Sequence, residues 1–64
     1  MTKKELKKMA KELARLESTL KNTEESNARY QIEQEIMTLS NKVEDVEDMI
    51  ILDEMIMELL EKKN

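Results

Sequence analysis

Met49-Ile-Ile-Leu-Asp-Glu-Met-Ile-Met-Glu-Leu-Leu60 is the most apolar stretch of this 64-residue chain. Nine of its twelve residues are apolar, and the other three, Asp53, Glu54 and Glu58, are acids. It is too short to span a bilayer, which takes about 20 consecutive apolar residues. On a helical wheel, at about 100° per residue, its apolar side chains cover roughly 260° of the circumference. Glu54, Glu58 and Glu61 fill the remaining arc, and Asp53 alone interrupts the apolar side. An ordinary surface helix carries an apolar stripe little more than about 100° wide. This stretch is therefore a helix that needs neighbours on at least two sides, more than so short a chain readily supplies.

The rest of the composition makes the fold class all-α. The chain has no Gly, no Pro and a single aromatic residue, Tyr30. The residues that build tight β turns are thus scarce, and the period-two runs of Val, Thr and aromatics that mark strands are missing. A chain of this size buries only about 60% of its unfolded surface and gains stability from disulfides, a metal or association. With no Cys and no His, disulfides, thiolate and imidazole metal sites, and Cys or His catalysis are excluded. A small three-helix bundle or an antiparallel, coiled-coil-like helical hairpin, oligomeric or partner-bound, is the expected architecture, as one domain.

Toward the N-terminus, Thr2-Lys-Lys-Glu5 fits a capping box. Leu6, Met9, Leu13, Leu16 and Leu20 then repeat at spacings of three and four, a heptad seam; Ala10 and Ala14 beside it permit close helix approach. The spacing predicts a first helix over residues 3–21. Residues 21–27 are the most polar run and predict a turn, with the first helix ending on Asn22 or Asn27, the residues that best tolerate a left-handed backbone. Asn22 or Thr23 is expected to cap the next helix. A second seam, Ile32, Ile36, Leu39, Val43 and Val46, predicts a helix over 24–43. If the chain continued as one helix to residue 62, Glu44, Asp45 and Asp48 would fall on the arc of Ile51, Leu52 and Met55. A new helix over 46–62 places those acids in its first turn, where the dipole favours them. A hairpin with one long helix is the rival, because neither Gly nor Pro marks a break.

Charge is polarised. Residues 1–15 carry six bases and two acids, and Val43 to Glu61 carry eight acids and no base. The net charge is −4. The acids lack the Gly-centred spacing of a Ca²⁺ loop and the Glu-x-x-His of a bundle di-metal site. No cofactor or metal is expected. Ser18, Ser26 and Ser40 have no base to activate them, so no enzymatic activity and no small-molecule substrate is expected. No signal peptide or membrane span is read, and a soluble cytoplasmic location follows as the default expectation.

The functional expectation is a protein–protein interaction module that dimerises or docks on a partner through its C-terminal helix. The contact is assigned to Ile51, Leu52, Met55, Ile56 and Leu59, with Leu6, Leu13, Leu16, Ile36, Leu39 and Val43 as the internal seam. Five internal methionines, Met9, Met37, Met49, Met55 and Met57, suit an adaptable contact surface. An alternative is a small subunit or regulator of a nucleic-acid machine, touching phosphate through Lys4, Lys8, Lys11 and Arg15. An isoelectric point near 4.8 and the lack of stacking aromatics weigh against it. A third reading is an acidic nucleic-acid mimic built on Glu44, Asp45, Glu47 and Asp48.

Overall fold

Thr2 starts the first helix, α1 (Lys3–Lys21), with a complete capping box. Its hydroxyl accepts from the Glu5 amide at 3.2 Å, and the Glu5 carboxylate accepts from the Thr2 amide at 3.1 Å. The Thr2 amide and hydroxyl together hold the Glu5 carboxyl below its usual range, because the ionised form is the better acceptor. The structure, a computed structural model, describes residues 1–62. It contains two further helices, α2 (Ser26–Ser40) and α3 (Val46–Lys62), and no strand among the described residues.

The α1–α2 turn solves the absence of glycine in a way the sequence reading did not expect. Asn22 does end α1, but at φ −96° and ψ 2°, and no described residue has positive φ. The donors that a left-handed cap would bring round come from a side chain instead. The Arg29 guanidinium donates to the carbonyls of Leu20 and Thr23, each at 2.9 Å. Thr23 does not cap α2, because its hydroxyl donates back to the Thr19 carbonyl at 2.6 Å. Glu25 caps instead, its carboxylate accepting from the amides of Asn27 and Ala28, both at 3.1 Å. The second helix therefore starts at Ser26 rather than residue 24.

It also stops at Ser40 rather than residue 43. The amides of Lys42 and Val43 close tight turns onto Leu39 and Ser40, which frees Val43 from the helix and inserts it into the core. Asp45 then starts α3, accepting from the Glu47 amide with its carboxylate, at 3.1 Å, and from the Met49 amide with its carbonyl. The break thus falls where the acids gain from the new helix's positive end, and the chain is three helices rather than a hairpin with one long arm.

α1 is the centre. It packs against both α2 and α3, whereas the backbones of α2 and α3 do not approach one another. The core is Leu6, Met9, Ala10, Leu13 and Ala14 of α1, with Val43, Leu52 and Ile56; Ile36, Leu39, Met55, Leu59 and Leu60 cover its edge. α2 contributes no fully buried residue. The result is a slab of 35 × 26 × 15 Å whose radius of gyration is 12.0 Å, against about 10.7 Å for a compact domain of this length.

Candidate protein interface

At about 100° per residue, α3 offers two apolar frames a third of a turn apart. One, Leu52 and Ile56 with Leu59, faces α1; the other, Ile50, Met57 and Leu60, contains Asp53. Turning the second frame inward would bury a carboxylate with no partner, at a cost of several kcal/mol. The first goes in. Leu52 and Ile56 are 4% and 9% exposed, in one cluster with Leu6, Ala10, Leu13 and Ala14 of α1, while Val46 and Met57 are 68% and 63% exposed.

This corrects the expected contact face. Of Ile51, Leu52, Met55, Ile56 and Leu59, the second and fourth are core residues, and Met55 and Leu59 are half-buried against that core. Only Ile51 is exposed. Besides Ile51, the apolar surface that α3 leaves uncovered is Val46, Met49, Ile50 and Met57. Asp53 stands within this stripe. Asp53 was the available signal, since a lone acid in one of two competing frames marks the frame that stays in water.

The uncovered residues of α2 and α3 look the same way. Leu16 shares a crevice with Gln34, Glu35 and Leu39 of α2, and Ala10 shares one with Met55, Glu58 and Leu59 of α3. These two α1 positions are about 120° apart around its axis, so α2 and α3 flank α1 with their backbones apart, leaving a shallow cleft floored by side chains that bury Leu6 and Leu13. Tyr30, Glu33, Ile36 and Met37 of α2 share a crevice with Glu17 and Leu20 of α1, two positions on the α1 arc between Leu16 and Ala10. On α3, the stripe of Met49, Ile50, Asp53 and Met57 lies half a turn away from the crevice formed with Lys3, Lys7 and Lys11, which puts it on the cleft side as well.

The opposite face of the slab is basic. Lys4, Lys8, Lys11 and Arg15 are all exposed and share an arc of about 60° on α1, turned away from the cleft. Arg15 pairs with Glu12 at 2.8 Å, which raises its affinity for the proton. Between the basic N-terminal segment and the acidic C-terminal one there is a single ion pair among the described residues, the Met1 amino group on Asp48 at 3.0 Å. That hydrogen bond raises the pKa of the amino group. With Asp45 engaged as a cap and Asp48 in this contact, the Glu44–Asp48 acids are not a free row. The described residues hold no cluster of potential metal ligands, and none of their helices is long and apolar enough to cross a membrane.

The surface is larger than the chain's mass calls for. It exposes 5219 Å², whereas a folded monomer of 7.6 kDa exposes about 4300 Å². Measured against an extended chain of about 11,000 Å², folding buries roughly 53% where about 60% is usual. Comparison with protein-family models, with curated proteins and with solved structures found no match.

Proposed function

We propose that this chain is a non-enzymatic protein-interaction module that docks through the apolar cleft between α2 and α3. One observation carries the reading: the large apolar side chains Met37, Val46, Ile50 and Met57 are 55–68% exposed on the flanks of α2 and α3, and exposed apolar patches mark interaction sites. Met37, Met49, Ile50 and Met57 are among the chain's exposed apolar residues, and the unbranched thioethers of the three methionines adapt to varied contours. A photocrosslinking residue at position 57, inside cells, should give adducts with a second polypeptide that disappear with Ile50→Lys. The same residue at position 8 should give none. Absence of adducts from position 57, or equal yields from both, would remove the reading.

A second reading rests on the exposed arc of Lys4, Lys8, Lys11 and Arg15, whose charge suits a phosphate backbone. It predicts nucleic-acid binding that falls steeply with salt and weakens when Lys8 and Lys11 are reversed to Glu. Binding indifferent to either change would eliminate it.

A further inference from the structure

We infer that the occupant of the cleft is a basic amphipathic helix of another protein rather than a second copy of this chain; the inference rests on the interaction reading above. The cleft is apolar along its length but acidic wherever it is charged. Glu17, Glu33, Asp53 and Glu54 stand exposed in or beside it, and none of the four is in an ion pair among the described residues. Bases are scarce on the two flanking helices. From Glu24 to Glu61 the chain has two bases, Arg29 and Lys42. Arg29 is engaged with the end of α1, and Lys42 lies in a turn, sharing a crevice with Met1.

Self-association fails on both possible geometries. A two-fold dimer brings a surface onto itself, so the acidic rim would meet an identical acidic rim, and in an antiparallel α3–α3 pairing Asp53 would approach its own copy. Like charges brought together in an interface are strongly unfavourable. A head-to-tail arrangement would place the basic face of α1 on the cleft, which satisfies the charges but not the apolar stripe. That face presents Lys4, Lys8, Lys11 and Arg15, and every large apolar residue of α1 except half-buried Leu20 is in the core. The occupant must combine an apolar stripe with flanking Lys or Arg. From Val46 to Met57 the stripe runs about 17 Å at 1.5 Å per residue, three helical turns, so about a dozen residues of partner helix suffice to cover it. Laid between α2 and α3, such a helix adds a fourth element over the exposed apolar side chains of both, outside a core that is already buried.

The test uses the full chain carrying ¹³C-methyl methionine and two synthetic helices of one leucine pattern, one with lysine and the other with glutamate at every remaining position. The lysine peptide should shift the Met37, Met49 and Met57 methyl signals saturably and leave buried Met9 in place. The glutamate peptide should bind at least about tenfold more weakly, because its charges repeat those of the rim. Asp53→Lys should weaken the lysine peptide several-fold, and this variant keeps the fold because the residue is exposed. Equal binding of the two peptides, or indifference to Asp53→Lys, would overturn the charge argument. Sedimentation showing a micromolar dimer with the Met49 and Met57 signals at its interface would install a second copy as occupant. That result ends this inference while the interaction reading stands; loss of crosslinks from position 57 ends both.

Discussion

The Arg29 guanidinium reaches back from the first turn of α2 to the carbonyl of Leu20 in the last turn of α1 and that of Thr23 in the connecting turn, a place where helix carbonyls otherwise need water or a left-handed cap. It also puts a positive charge at the negative end of the helix. Charged hydrogen bonds of this kind contribute about 1.5–3 kcal/mol when partly shielded. Arg29→Met should therefore lower the melting temperature by roughly 6–24 °C, at about 4–8 °C per kcal/mol for a domain this small. Arg29→Lys should recover a large part, since a single nitrogen, Nη1, donates to both carbonyls and an ammonium also has donors for two. Calorimetry on the three proteins checks this. Glu5 makes a second residue-scale prediction. Its carboxyl is held below the usual range by Thr2, so the ionised form is favoured in the folded state. That contribution is complete above the ordinary glutamate pKa and is lost as pH falls through the lowered folded value. Glu5→Ala should destabilise the chain at neutral pH, and the gap from the parent should narrow as the pH falls through that window. A gap constant with pH would mean the carboxylate contributes only packing.

The helices separate what was legible from what was not. α1 was readable because seam, capping box and flanking alanines agreed, and it runs over the predicted residues. α2 was legible in its middle and misread at both ends. Glu25 is not among the favoured capping residues, and nothing in the local pattern says that Val43 will leave the helix to fill the core. α3 had correct bounds and an inverted assignment of faces, because its near-continuous apolarity hid the weight of one carboxylate at position 53. Core and surface substitutions now separate cleanly. Leu52→Ala should cost about 2–5 kcal/mol, a large share of the roughly 3–10 kcal/mol a chain this long possesses. Ile56→Asp should abolish folding outright. Ile50→Lys and Glu58→Lys, on exposed positions, should leave stability within about 0.5 kcal/mol. Circular dichroism during urea titration distinguishes them, and an Ile56→Asp chain that stays helical and cooperative would mean α3 does not pack through this face.

At the scale of the whole molecule, a central helix with two neighbours whose backbones stand apart leaves a flank of each neighbour uncovered. The molecule's basic side faces water comfortably, while its other side carries apolar residues among acids. The two sides have different consequences for stability. Removing charge from the basic side changes little, whereas covering the cleft adds burial that the free chain lacks. A ligand that binds only the folded state stabilises it by mass action, by about 2.7 kcal/mol at a free concentration one hundred times its Kd. For a domain of this size that corresponds to a rise in melting temperature of roughly 10–20 °C. The lysine-flanked helix at that concentration should produce this rise in the parent chain. In Ile50→Lys, whose own stability is near that of the parent, the same concentration should produce almost none. The difference between the two proteins isolates the cleft from any general attraction of a basic peptide to an acidic chain, because reversing Glu58, on the outer flank of α3, should leave the rise nearly intact. A rise that follows net charge alone, equal for position 50 and position 58, would place the peptide on the acid surface at large and not between α2 and α3.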